Sequence, residues 1–396
     1  MFYEETCERC GVCLNQCPFL KLPIEKAKKE ITKLIKTGNS MKIMMNCAGC
    51  KYCDVICPTE SNPSELINEM RLKKIGEFGL PSLAMRTEEN PHNVISLSLE
   101  LNREVKKKDM EKYLNPPKSE TMFYLGCAIP AFYPDLAKTK SGNKTKLLEE
   151  FPIMGGLEYC CKGMFYKCFG ESEAKIIGND LLEKFKNFGI KELITFCPDC
   201  EVMFKREYPS IVENWDIKCK NFIEYFLEKY HKGELEIKNK VNLRVAFQDS
   251  CQWRDLERAT YNAPREFLEI IGCTVVEMKH SKERSLCCGT PVEGINKPLA
   301  KKIGEQNIAE AQEVQADALA FLCPGCIYTL GKYAKEKNVD SYYITELAQM
   351  AIGEKVVPKI PELTYEIKGH LIKKIKENPN IVKDRFIVKD GKIKQL

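Results

Sequence analysis

Two groups of five cysteines carry the most chemically pointed spacing in the chain. The first is Cys127, the adjacent pair Cys160-Cys161, and Cys197-Pro198-Asp199-Cys200. The second is Cys251, the pair Cys287-Cys288, and Cys323-Pro324-Gly325-Cys326. Corresponding cysteines lie 124, 127, 126 and 126 residues apart, the mark of an internal duplication. Tetrahedral zinc takes four ligands, and a cubane iron–sulfur cluster takes one thiolate per iron. Five thiols, two of them adjacent, exceed either need and point to a cluster of unusual shape. The alternative is a four-ligand site, zinc included, with one buried spare thiol.

Eight further cysteines precede these groups. Cys7, Cys10, Cys13 and Cys17-Pro18 spell C-x2-C-x2-C-x3-C-P, and Cys47, Cys50, Cys53 and Cys57-Pro58 spell it again. This is the bacterial ferredoxin run for 4Fe–4S cubanes, in which the fourth cysteine ligates the other cluster. One cubane is therefore expected on Cys7, Cys10, Cys13 and Cys57, and the other on Cys47, Cys50, Cys53 and Cys17. Eight cysteines in this order match no common zinc spacing.

The elements that position these thiols follow from periodicity. Pro23 to Lys36 has helical spacing with Ile24, Ala27, Ile31, Leu34 and Ile35, and Asn62-Pro63 starts another helix. Residues 1–80 therefore read as a helical two-cluster ferredoxin domain. Residues 81–118 form a Pro-punctuated connector with one helix from Val94 to Tyr113, whose run Lys106-Lys107-Lys108 reads as a solvated face. Residues 119–238 and 239–356 are the two duplicated units. Strands Met122–Leu125 and Val245–Phe247 end just before the lone cysteines. Helices Glu173–Phe188 and Leu299–Val314 lead into strands Leu193–Phe196 and Ala318–Leu322, and each CxxC sits where such a strand gives way to a helix. This alternation implies a parallel α/β layer in each half, with the thiols at the carboxyl ends of strands. A helix amino-terminus there favours thiolate over thiol. The basic tail, 357–396, carries an amphipathic helix from Leu363 to Glu377 and a hairpin around Asp390-Gly391; it caps the last domain or docks a partner. The fold class is α+β and multidomain.

Composition sets the class. Of 396 residues, 21 are cysteine, and Met1-Phe2-Tyr3-Glu4-Glu5 runs into them without a signal peptide, so CxxC spacings read as ligands rather than disulfides. The expected compartment is the cytoplasm of an anaerobe. No apolar run spans a bilayer, so attachment to a membrane would be made through a partner subunit. A net charge of +5 with lysines dispersed among glutamates is not a nucleic-acid footprint.

The Cys…Cys-Cys…Cys-x-x-Cys arrangement resembles the cysteine-rich CCG domain family. Two such domains behind two ferredoxin motifs resemble the D subunit of heterodisulfide reductase, a fusion of C and B subunits. The layout is also similar to iron–sulfur subunits of anaerobic glycerol-3-phosphate dehydrogenase and of glycolate and lactate oxidation systems. Both five-cysteine sets are complete here, whereas one is often incomplete in members that only relay electrons. The resemblance then implies two noncubane 4Fe–4S clusters facing one another, one on each set, fed by two cubanes. Together they would reduce a small-molecule disulfide of the coenzyme M–coenzyme B type, each cluster taking one sulfur. It implies a redox partner, either a membrane cytochrome b or a soluble flavoprotein. The other reading is a relay from a flavin dehydrogenase towards quinone.

One departure stands out. The second pair is followed directly by Gly289, but the first reads Cys160-Cys161-Lys162-Gly163. Glycine there lets backbone approach the cluster; Lys162 either adds positive charge or points to water. Cys168, Cys219 and Cys273 read as small core residues. His280 reads as a surface histidine or a proton donor to a leaving thiolate. Arg254 and Lys282 read as surface charges or as binders of an acidic substrate.

Overall fold

A computed structural model describes residues 1–101, 103–138, 144–163, 170–356, 360–389 and 392–396. Cys168 and the Asp390-Gly391 turn lie outside them. The amino-terminal segment is helical, as its spacing predicts: Val12–Asn15, Ile24–Thr37, Met41–Asn46, Tyr52–Val55 and Pro63–Phe78. Ala27, Ile31 and Leu34 turn inward at helical spacing to meet Leu14, Ile43, Leu66, Ile67 and Met70. Gly38, at φ 60°, ends the second helix by donating its N–H to Leu34 O.

The connector corrects one expectation. In place of one helix over Val94–Tyr113 there are two, Val94–Leu99 and Arg103–Leu114. Asn93 caps the first through Ile95 N and Ser96 N at 2.9 and 3.0 Å. That helix closes because Glu100 N and Leu101 N bond back only three residues, to Leu97 O and Ser98 O, which tightens the last turn. Of the lysine run, Lys108 is exposed and the side chains of Lys106 and Lys107 lie outside the described residues.

The duplicated part forms two four-stranded parallel sheets of equivalent order. Taking the strands in chain order, β1 is Leu80–Pro81 in the connector. The first sheet holds β2 (Thr121–Gly126), β3 (Ile153–Gly155), β4 (Glu192–Thr195) and β5 (Lys218–Asn221) in the order β3-β2-β4-β5. The second holds β6 (Arg244–Phe247), β7 (Thr274–Val275), β8 (Ala318–Phe321) and β9 (Asp340–Tyr343) in the order β7-β6-β8-β9. The strands β3 and β7 escaped the sequence reading because they are too short to show alternation. One core runs through both halves and includes Phe123, Phe196, Phe222 and Phe226 with Phe247, Phe267 and Phe321. The rings of Phe226 and Phe267 meet across the two at 4.8 Å. A second cluster packs Tyr124, Phe185, Phe204 and Tyr208 on the other face of the first sheet.

The tail helix Ile360–Glu377 buries Ile367 and Leu371 and packs along helix Pro324–Glu336 of the second half. Beyond it, β10 (Arg385–Lys389) and β11 (Lys392–Gln395) form the expected antiparallel hairpin. The strand β10 also pairs with β1, Leu80 opposite Phe386, so the tail reaches the end of the ferredoxin segment as well as capping the last half.

Candidate metal centres

Each lone cysteine follows the carboxyl end of a central strand. Cys127 comes directly after β2, behind Gly126 at φ +65°, where a Cβ would lie 3.3 Å from Cys200 Sγ. Cys251 opens a short 3-10 helix capped by Ser250 Oγ. Cys197 and Cys323 are the N-caps of helices beginning at Pro198 and Pro324, with the proline filling a first-turn position that needs no N–H.

The fold draws each set of five into one contiguous group. Cys127 Sγ and Cys160 Sγ are 3.2 Å apart, and side-chain hydrogen bonds continue from Cys160 to Cys161, Cys200 and Cys197. In the second half they run from Cys251 through Cys287, Cys288 and Cys326 to Cys323. Hydrogen bonds with Cys127 and then Cys161 hold the Cys160 thiol well below its ordinary range. Cys288 is lowered in the same way by Cys287 and Cys326.

The two sets meet. The hydrogen bond with Cys326 lowers the Cys323 thiol, while burial and the nearby charges of Cys197, Cys288 and Asp199 raise it, to about 11 in all. Between them stands Tyr343, fully buried, its one hydroxyl proton shared between Phe196 O and Leu322 O. These are the carbonyls just before the two CxxC motifs, so one ring pins both loops.

In the ferredoxin segment, Cys7 and Cys13 are acted on by Cys10 and Cys57, while Cys17 is acted on by Cys50 and Cys47. The fourth cysteine of each run therefore lies with the other run. Burial pushes the Cys13 and Cys17 thiols up to about 12 and Cys50 to about 11. Cys53 faces both Cys50 and Cys13, and Cys50 faces Cys251. Together with the effect of Cys197 on Cys323, these effects link the four groups of thiols. The links run through the amino-terminal groups, then the second half, then the first. Among the described residues no three His, Cys, Asp or Glu side chains close around a single-ion position.

Two lysines occupy backbone positions suited to glycine. Lys162 takes φ 55° where the second half has Gly289 at φ 90°. Its amine donates to Arg86 O of the connector at 3.0 Å, and its charge lowers Cys160, so it does not point to water. In the ferredoxin segment Lys51 takes φ 57° where the first run has Gly11 at φ 76°. Its amine pairs with Asp255 of the second half at 2.7 Å.

Arg254 is not a free surface charge: it is partly buried, three residues after Cys251, and donates to Cys50 O at 2.5 Å. His280 binds Glu310 Oε1 at 2.7 Å and is only 24% exposed, which ties it to a helix rather than leaving it on the surface. Lys282 donates its backbone N–H to Asp249 Oδ2 at 2.6 Å. Cys273 is buried, while Cys219 is half-buried on the edge strand β5. Cys219 lines a surface groove of ≈ 850 Å³ with Lys205, Lys220, Glu224 and Trp215. That groove holds no other thiol, so it is not where the cysteine chemistry sits.

Sequence reasoning missed Glu201, which is fully buried directly after Cys200. It accepts from Trp253 Nε1 at 2.7 Å, Asn221 Nδ2 at 2.9 Å and Lys205 Nζ at 2.8 Å, so it joins the halves. Burial raises its pKa and Lys205 opposes the rise. No motif announces it; an acidic residue one place after a CxxC is the sole signal.

The donor set fits a sulfur-rich cluster. Each group offers thiols without an imidazole, their number exceeds four in both halves, and positive side chains approach Cys50, Cys251 and Cys160. Residues 121–205 and 245–331 match the cysteine-rich (CCG) domain family, and residues 6–62 match the 4Fe-4S dicluster domain. In this layout the chain is similar to iron–sulfur subunits of the heterodisulfide reductase and glycolate oxidase type. The D subunit of dihydromethanophenazine:CoB--CoM heterodisulfide reductase from Methanosarcina barkeri is 24% identical over 396 residues, covering 88% of this chain and 94% of that one. A probable glycolate oxidase iron-sulfur subunit of Bacillus subtilis is 20% identical, covering the same shares, 88% and 94%. EtfAB:quinone oxidoreductase of Syntrophomonas wolfei is 28% identical over 43% of this chain and 24% of its own length. The chain carries its 4Fe–4S dicluster match ahead of its two cysteine-rich matches. Among its described residues no helix is long and apolar enough to cross a membrane.

Proposed function

We propose that this subunit reduces a small-molecule disulfide at its two five-cysteine sites. The observation that carries this reading is the meeting of two complete sets through Cys197 and Cys323 beneath the shared Tyr343 hydroxyl. Two centres side by side suit a substrate with two sulfurs. The half-reaction is RSSR′ + 2e⁻ + 2H⁺ → RSH + R′SH. Cys7, Cys10, Cys13 and Cys57 would hold one cubane, and Cys47, Cys50, Cys53 and Cys17 the other. Cys127, Cys160, Cys161, Cys197 and Cys200 would hold one noncubane cluster. Cys251, Cys287, Cys288, Cys323 and Cys326 would hold the second. Bound there, the clusters would supply single electrons and an iron for each sulfur. The chain's own part is to hold the two loops at fixed separation and to exclude water from thiols that are buried or half-buried. In this reading the domains would be 1–80, 81–118, 119–238, 239–356 and 357–396. The subunit works with a redox partner, a membrane cytochrome b or a soluble flavoprotein, on the cytoplasmic side.

A second reading is an electron relay from a flavoprotein towards quinone. The likeness to the EtfAB:quinone oxidoreductase and to the glycolate oxidase subunit favours it. Anaerobic purification followed by metal analysis and electron paramagnetic resonance separates the readings. Four clusters mean about 16 irons per chain and no zinc. Under oxidising conditions a thiol such as coenzyme M should produce a new paramagnetic signal if a five-cysteine site takes substrate sulfur. Silence towards every thiol tried, with all the iron present, would leave the relay.

A further inference from the structure

Arg254 joins two of the thiol groups physically. It leaves the turn that begins at Cys251, and its Nε donates to Glu283 O at 2.8 Å. One terminal nitrogen donates to Cys50 O at 2.5 Å, and the other to Ser285 O, two residues before Cys287. Its guanidinium lies over the Tyr52 ring at 5.3 Å. Three backbone segments, those bearing Cys50, Cys251 and Cys287, are thereby tied to one rigid fork. Among the described residues its hydrogen bonds go to three carbonyls and the Ser285 hydroxyl, not to a carboxylate. The neighbouring Asp255 is already engaged by Lys51 at 2.7 Å and Arg206 at 2.8 Å. The positive charge instead faces the thiols of Cys50, Cys251 and Cys287. A partly buried cation without a carboxylate is costly unless another anion stands near it, and thiolate-ligated iron supplies such an anion. The equivalent position in the first half is Pro130, which has no charge and no donor.

We propose that Arg254 is a positioning residue that holds the inner cubane against the second-half site, raises the potential of both, and marks where electrons cross. The inference rests on the cluster reading above. A positive charge beside a cluster stabilises its reduced, more negative state, so the potential rises. One electron crosses at a time: the cubane side loses it, the second-half side gains it, and the guanidinium keeps all its protons. Electrons therefore enter the duplicated part through the second half, and the first half receives them last.

The test uses the full chain, purified anaerobically as wild type, Arg254→Gln and Arg254→Lys. Its readouts are iron content, redox titration followed by paramagnetic resonance, and rapid-freeze reduction with dithionite-reduced viologen. In R254Q the potentials of the Cys17/Cys47/Cys50/Cys53 cubane and of the second-half centre should fall, and the Cys7/Cys10/Cys13/Cys57 cubane should stay. Reduction of the second-half centre should slow by about tenfold or more, the scale of lost outer-sphere contacts at metal sites. R254K keeps the charge but not the fork, so its potentials should stay near wild type while the transfer rate still drops. Unchanged potentials and rate in R254Q with full iron overturn the proposal. If R254Q loses iron, R254K alone decides, and a wild-type transfer rate in it overturns the proposal. A wild-type chain without four centres would instead overturn the cluster reading, whatever the variants do.

Discussion

Glu224 and Glu346 hold the same place in the two halves. Each sits on the first turn of the helix after the last strand of its sheet and accepts the backbone N–H of the residue entering it, at 2.9 Å from Asn221 and 2.7 Å from Tyr343. Their surroundings have parted. Glu224 meets Lys205 at 2.8 Å, and Lys205 meets the buried Glu201. In the second half Gly331 and Ile327 stand where Lys205 and Glu201 stand in the first. Among the described residues Glu346 pairs with no cation, and burial pushes its carboxyl up to about 8. The duplication has kept the thiols and rebuilt what surrounds them. Two sites built from matching cysteines thus sit in halves with unlike electrostatic settings.

The comparison breaks most completely at the thiols. Cys161→Ser and Cys288→Ser should each remove about four of about 16 irons and bring disulfide turnover with reduced viologen to background. A C161S chain that still turns over would show that the first half is dispensable. Next in size is Glu201→Ile, which gives the first half the second half's residue. It strands Trp253 Nε1–H and Asn221 and leaves Lys205 with one partner, at about 3 kcal/mol as for broken buried pairs; anaerobic urea unfolding measures it, and a cost under about 1 kcal/mol would demote the network to surface status.

Glu346 gives a pH signature of its own. Its carboxyl ionises near 4.5 when free and near 8 when folded. Between those values the folded chain keeps a proton the unfolded chain has shed. The group's contribution is therefore full below pH 4.5 and is lost as pH rises towards 8, by up to about 1.4 kcal/mol per pH unit. Glu346→Gln keeps the N–H acceptor and should flatten the fall in urea midpoint between pH 5 and 8. Identical slopes would mean that Glu346 is ionised throughout. The smallest effect is Tyr343→Phe, which frees Phe196 O and Leu322 O for about 1 kcal/mol. It should also weaken magnetic coupling between the two centres, and unchanged coupling would separate the hydroxyl from loop spacing.

Much of this was legible in the residues. The spacing of eighteen cysteines announced four groups, and strand–helix alternation placed six of them, the lone cysteines and the CxxC pairs, at the carboxyl ends of parallel strands. Local periodicity encodes local structure, so long regular helices such as Ile24–Thr37 read well, while β3 and β7 were too short to read. The misses were long-range. Nothing near Arg254 states that Cys50 will lie against it, and nothing near Leu80 names Phe386 as its partner. Glu201 went unread, because burial of a charge is decided by Trp253 and Lys205, far away or a helical turn on. The break at Leu99 escaped because apolar spacing alone does not register a tightened turn.

Lys51 and Lys162 carry a shared consequence. Holding a left-handed backbone that glycine adopts freely costs each about 1 kcal/mol or more. Each offsets it by reaching into a neighbouring module, Lys51 to Asp255 and Lys162 to Arg86. The strain is internal to the module but its relief is not. A fragment cut free would keep the first and forfeit the second, so an excised piece should prefer glycine at a position where the intact molecule prefers lysine.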